Sequence, residues 1–275
     1  MRGKSKALIA MLAILGSMLL GVGADAQNVA SGTLHSVATI VAAGAGGSRQ
    51  TTLGSAFFVE VPSKVFQGKA FVYIVTARHN LLDAHGNPVA KPRISLEDSR
   101  TGAVRDVPLP PVNEWILDPR DPSVDLAALP FAPADAQFTT IPIGRFLNAG
   151  VDTTIPIESQ LGAEAYYLAA LNGTLPDSRP VVVTRFGRVS VAQPALSEVP
   201  GAGRQNLCFL EGTSFPELSG APVFLRTPEN AVLWGMVEAR GDASNRQLSG
   251  LIGVLPAGYI AETVQAMAAA QEQKP

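Results

Sequence analysis

The apolar residues of this chain come in short runs, and nearly every run is cut by Gly, Pro, Asn or Asp. Candidate strands are His35–Ala42, Gly54–Val61, Ala70–Thr76, Arg93–Glu97, Leu126–Phe131, Ala165–Ala170, Val181–Arg185, Asn206–Leu210, Ala221–Leu225, Val232–Val237 and Gly250–Val254. Closely spaced short strands with such punctuation predict an all-β sandwich or barrel. The 21 prolines and 26 glycines suit loop-rich β structure better than alternating strands and helices. One helix closes the chain. Pro256 starts it, and Ile260, Val264 and Met267 follow at helical spacing. Its polar continuation, Gln271–Pro275, is expected to be disordered. Val107–Val112 and Asp118–Ser123 read as loops, and Phe131–Gly144 as a linker between two lobes.

The first residues belong to export rather than to the fold. Arg2, Lys4 and Lys6 precede an apolar run from Ala7 to Val22, and Ala24-Asp25-Ala26 offers small residues on both sides of a cleavage point. This predicts a signal peptide over 1–26, a mature chain from Gln27, and a secreted or periplasmic location; an uncleaved anchor helix is the alternative. The formal net charge is −2 and no basic run follows the signal. Nothing therefore points to nucleic acid, or to a membrane after cleavage. Charged residues make up 16% and hydrophobic ones 47%, so most of the chain should fold. Cys208 is the only cysteine and sits in the apolar run Leu207–Leu210, as a buried structural thiol would. An intramolecular disulfide is excluded.

Three polar residues stand at the edges of apolar strands. His79 follows Ala70–Val75 through Thr76-Ala77-Arg78, at the rim where a general base is held rigidly. Asp125 lies where the turn Asp121-Pro122-Ser123 enters the run Leu126–Leu129. A carboxylate buried there needs a partner, and an imidazole N–H is a natural one. Ser219 precedes Gly220-Ala221, small residues that let a substrate backbone approach, and then Pro222-Val223-Phe224. Taken singly, each stretch fits an ordinary structural residue as well: a strand-end His, a turn Asp, a Ser-Gly turn.

Together, Thr76–His79, Val124–Ala127 and Ser219–Val223 resemble the three signature regions of trypsin-like peptidases. The order His, Asp, Ser is that of the chymotrypsin-like members. Gly54–Val59 looks like their Gly-Ser-Gly-Phe strand, and Phe186–Ser190 resembles the Gly-x-Val-Ser strand of bacterial members related to HtrA proteases. The likeness runs from about His35 to Ile260. It implies two six-stranded β-barrels with the active site in the cleft between them: an N-terminal barrel over 27–133, and a C-terminal barrel with the terminal helix over 134–270. It implies Ser219 as nucleophile, His79 as base and Asp125 as its orienting partner. The backbone N–H groups of Glu217 and Ser219 would form the oxyanion hole. Thr213 and Ser214 would line an uncharged specificity pocket, and Trp234, Gly235, Met236 and Val237 would pair with a substrate peptide. No metal or other cofactor is implied, and no PDZ-like domain is seen after Ile260.

The sequence departs from this pattern at Glu217 and Leu218, where the family usually carries Gly and often Asp. Leu218 cannot form the buried ion pair that switches on trypsin-like zymogens. Glu217 puts a side chain and a charge beside an oxyanion donor, whose loss costs about 10²–10³ in rate. Three functions therefore compete: a serine endopeptidase acting on protein or peptide, a silent trypsin-like fold that only binds peptides, and an unrelated β-sandwich binding domain. Other motifs are weaker. Arg240-Gly241-Asp242 and Asn172-Gly173-Thr174 read as turns. His35 and His85 lack ligand-spaced partners for a metal.

Overall fold

The computed structural model describes residues 31–42, 51–83, 85–148, 154–171, 181–199, 203–227, 230–240 and 250–273. The expected export signal and the motif at 172–174 lie outside these residues, as do Gly241 and Asp242. The described chain carries two sheets, antiparallel but for one short strand, followed by one long helix, the all-β class expected.

The first sheet contains β1 (Val37–Ala42), β2 (Thr51–Pro62), β3 (Ala70–Thr76), β4 (Arg93–Asp98), β5 (Val104–Pro108) and β6 (Ala127–Pro130), in the order β5-β4-β1-β2-β3-β6. Its two ends meet through an isolated bridge rather than a full ladder. Ile116, beyond β5, exchanges N–H···O bonds of 2.8 and 2.9 Å with Ala128 of β6. β5 escaped the sequence reading because it runs into the proline-rich loop. As an edge strand it ends at Pro108, where no ladder donor is needed. The expected linker also contributes pairing: β7 (Ala136–Gln137) joins β4, and β8 (Ile141–Pro142) runs parallel to β2.

The second sheet closes fully as a barrel, β10-β11-β14-β13-β12-β9. Its strands are β9 (Glu164–Leu171), β10 (Val181–Val199), β11 (Gly203–Glu211), β12 (Pro222–Arg226), β13 (Ala231–Arg240) and β14 (Leu251–Pro256). β10 extends far past the expected Arg185. Its distal half is largely exposed, held by pairing with β11 rather than by a buried face. Each sheet encloses its own core. Ile40, Phe58, Ile74, Ile94 and Trp115 fill the first, and Tyr167, Leu210, Val223, Trp234 and Val254 fill the second.

The helix Ala257–Glu272 buries Ile260, Val264 and Met267, the stripe its sequence spacing predicts. It also corrects the expectation of a disordered tail from Gln271. The Tyr73 hydroxyl of β3 donates to Gln271 Oε1 (2.7 Å), and Ser63 Oγ donates to Glu272 Oε1 (3.0 Å). These contacts with the first sheet order the last turn, which helix propensity alone would leave frayed. No helix among the described residues is long and apolar enough to cross a membrane.

Ile260 is fully buried where this helix meets the rest of the chain. Ile260→Ala should cost about 2–5 kcal/mol through lost burial and the cavity left behind. Urea unfolding checks it: the midpoint falls while the slope is unchanged.

Candidate active site

His79 and Asp125 are brought together by strand pairing. β3 and β6 are antiparallel neighbours with Thr76 opposite Ala127, so the residues just after β3 and just before β6 emerge at the same end. A 3₁₀ turn over Arg78–Leu81 carries His79 there. The turn before β6 is knotted by Asp121, which accepts bonds from the Ser123 N–H and hydroxyl. Asp125 accepts the backbone N–H of His79 (2.8 Å) on one carboxylate oxygen and faces His79 Nδ1 with the other. Its own N–H donates to Gln205 Oε1 of β11 (3.1 Å), and Gln205 Nε2 donates to the Ser123 carbonyl (2.9 Å). A second-sheet residue thus braces the backbone of Asp125.

Ser219 arrives from the other sheet, between a 3₁₀ turn over Pro216–Leu218 and β12. Its Oγ lies 2.8 Å from His79 Nε2, completing a continuous line of hydroxyl, imidazole and carboxylate. Its carbonyl is clamped by the first sheet, accepting from the Ser55 N–H (2.8 Å) and from Asn80 Nδ2 (3.0 Å). Gly220 has φ +85, and a Cβ there would overlap the Ser55 carbonyl oxygen, so glycine is required twice over. The Glu217 carbonyl accepts the Ser55 hydroxyl (3.0 Å). Among the described residues φ at Glu217 is not positive, so this turn does not use the left-handed backbone reserved for glycine. Ser219 caps the turn with φ −55 and ψ 133.

The residues that the resemblance implies would bind a peptide lie along β13 and before the serine turn. Trp234, Met236 and Val237 are buried, and Trp234 Nε1 donates to Gln160 Oε1 (3.0 Å). Gly235 and Met236 pair with β12 on one side and β14 on the other, and the Val237 N–H and carbonyl bond to Ala221 and Gly220. The Trp234–Val237 stretch offers no open edge. The β12 pairing ends at Met236, so the edge that continues past it is Glu238–Arg240, and the Glu238 carbonyl lies 3.4 Å from Ser219 Oγ. Thr213 is exposed and Ser214 half-buried on the approach to the serine turn, with the Tyr167 hydroxyl donating to the Thr213 carbonyl (2.5 Å). Cys208 is buried, and desolvation pushes its thiol up to about 12, as for a structural cysteine.

Sequence reasoning missed four residues of the site. Gln205, Asn80 and Ser55 carry no signal beyond their polarity. Glu238 does: it is a lone carboxylate inside the apolar strand Val232–Ala239, and such a charge demands an account. It is 1% exposed, and its Oε1 lies 3.9 Å from His79 Nδ1. Ligand-type atoms of His79, Asp125 and Glu238 all fall within 4.8 Å of one another. The imidazole nitrogen and the aspartate already engage each other, so this grouping reads as a proton network and not as an ion cradle. Burial raises the Asp125 carboxyl, but hydrogen bonds from Glu238 and His79, with the imidazole charge, outweigh it and hold the group down at about 2.

No family model matches the sequence, and no curated protein matches it. Among solved structures it is similar to the HtrA-type protease AlgW with decapeptide, at 14% identity and TM-score 0.47 over 87% of this chain. It spans 65% of that AlgW chain. It is also similar to Deg5, at 16% identity and TM-score 0.49, over 86% of this chain and 90% of the other.

The lowered Asp125 carboxyl has a consequence for stability. Between its ordinary 3.8 and about 2 the unfolded chain binds the extra proton. Stability is therefore present above 3.8 and is lost as pH falls through about 2. The loss is on the order of 2 kcal/mol. Chemical denaturation across that window should show it, and Asp125→Asn should flatten the profile there.

Proposed function

We propose that this chain is a serine endopeptidase of the trypsin-like type, exported to the periplasm or beyond the cell, with Ser219, His79 and Asp125 as its catalytic triad. The observation that supports the reading best is the unbroken line from Ser219 Oγ through both ring nitrogens of His79 to Asp125. Nucleophile, base and orienting carboxylate come from separate stretches of two sheets, and each is fixed by its own backbone contacts.

In this reading Ser219 attacks a peptide carbonyl as its hydroxyl proton passes to His79 Nε2. The tetrahedral oxyanion forms beside the Ser219 N–H, with Glu217 supplying the second backbone donor. His79 then returns the proton to the departing amine, and water repeats the sequence on the acyl-enzyme. Asp125 keeps Nδ1 protonated throughout, leaving Nε2 free to accept. The substrate backbone would lie along the Glu238–Arg240 edge of β13, beside Ser219. Thr213 and Ser214 would make an uncharged pocket that disfavours Arg or Lys. The expected division into an N-terminal barrel over 27–133 and a C-terminal unit over 134–270 belongs to the same proposal.

A fluorophosphonate probe tests it. The folded protein should be labelled at Ser219, Ser219→Ala should abolish labelling, and Asp125→Asn should slow it on the order of 10³–10⁴. Absent labelling in folded wild-type protein would sink the hydrolase reading in favour of a peptide-binding module.

A further inference from the structure

We infer that Glu238 is a positioning residue of this site: held protonated, it donates its O–H to Asp125, so the buried carboxyl pair carries one negative charge. That it positions a catalytic group rests on the serine hydrolase reading; its protonation and hydrogen bond do not.

The strand aims Glu238 at the site by a break in its own register. β13 pairs with β14 through Val237 opposite Val254 and then Ala239 opposite Gly253, so Glu238 is the extra residue of a bulge. Bulges re-aim a side chain where regular alternation would not place it. Val237 packs into the barrel core, and Glu238, next along the strand, turns to the opposite face toward His79 and Asp125.

What surrounds the carboxyl decides its state. The turn after β3 presents His79, and the turn before β6 presents Asp125. From the serine turn comes the Ser219 hydroxyl, which lies against the Glu238 carbonyl, and from β11 comes Gln205, which holds the Asp125 backbone. Among the described residues no Lys or Arg lies within 4.0 Å of Glu238 to neutralise it. No N–H or hydroxyl donor among the described residues reaches either of its buried carboxyl oxygens. Asp125, by contrast, receives the His79 backbone N–H and faces the imidazole. Two carboxylates sharing a dry site cannot both ionise, and the proton stays where no donor supports the anion. That place is Glu238. Burial, followed by the charge and hydrogen bond of Asp125, moves its carboxyl well above the ordinary range, in agreement with the geometry.

A protonated Glu238 gives Asp125 a third donor and holds it against His79. The linkage runs opposite to that of Asp125. A raised folded-state value means that the contribution of Glu238 is complete below 4.5 and is lost as pH rises through the raised value.

Infrared difference spectroscopy on the full chain at neutral pH reads the protonation directly. Wild type should show a protonated-carboxyl carbonyl band that disappears in Glu238→Gln, which retains a donor of similar shape and keeps the fold. Absence of the band, or its persistence in that variant, overturns the inference. Fluorophosphonate kinetics read the positioning. Glu238→Ala should slow labelling of Ser219 about tenfold or more through loss of the donor to Asp125. Glu238→Gln should recover most of that rate and remove the alkaline decline expected of wild type as Glu238 loses its proton. Equal rates in the two variants overturn the positioning role. A wild-type band without any labelling defeats the hydrolase reading while leaving Glu238 as the protonated partner of Asp125.

Discussion

The site exists only because the first sheet grips the backbone of the second at Ser219. Ser55 of β2 donates its N–H to the Ser219 carbonyl and its hydroxyl to the Glu217 carbonyl, while Asn80 adds a third bond from the turn that carries His79. Asn80 also donates to Thr76 Oγ1, whose hydroxyl bonds the Ser55 carbonyl. Ser219 and His79 are thus tied to one hydrogen-bonded platform at the seam of the two sheets. These bonds are shielded from solvent, where an unpaired backbone group would cost far more than a paired one gains. Gly220 is the steric condition for the grip, since any side chain there would occupy the space of the Ser55 carbonyl.

Charge is handled by the same economy of donors. A hydroxyl, an imidazole and two carboxyls meet in a largely dry space, and the sites of negative charge follow the distribution of N–H groups. Asp125 accepts the His79 backbone N–H, faces the imidazole and stays ionised; among the described residues Glu238 receives no such donor and keeps its proton. The acid limb of stability then belongs to Asp125 and an alkaline limb to Glu238, so the pair confines its full contribution to an intermediate range. The bulge that places Glu238 there lies on the strand beside Ser219, next to the edge left where the β12 pairing stops.

Much of the architecture was legible in the chain. The strands with β-branched or aromatic alternation, such as Ala70–Thr76, follow from short-range pattern, and the Ile260, Val264 and Met267 stripe announces the closing helix. The exposed distal half of β10 was not legible, because it is stabilised by its partner strand and buries little. Nor was β5, whose proline-rich exit looks like a loop until its edge position is known. The helix end at Gln271 and Glu272 depends on Tyr73 and Ser63, about two hundred positions away.

For the site, the sequence by itself determined the chemical types and the rims on which His79, Asp125 and Ser219 stand, since each follows from where an apolar strand begins or ends. Tertiary structure decided everything that depends on two sheets meeting. It set the 2.8 Å approach of Ser219 to His79, and the support of Asp125 by Gln205. It buried Trp234–Val237 in pairing on both sides and left Glu238–Arg240 as the continuing edge. It also turned a lone acidic residue in an apolar strand into a neighbour of His79 and Asp125. Local pattern records how a segment meets its own core. It does not record which donors another segment brings, and those donors determine which of two buried carboxyls holds the proton.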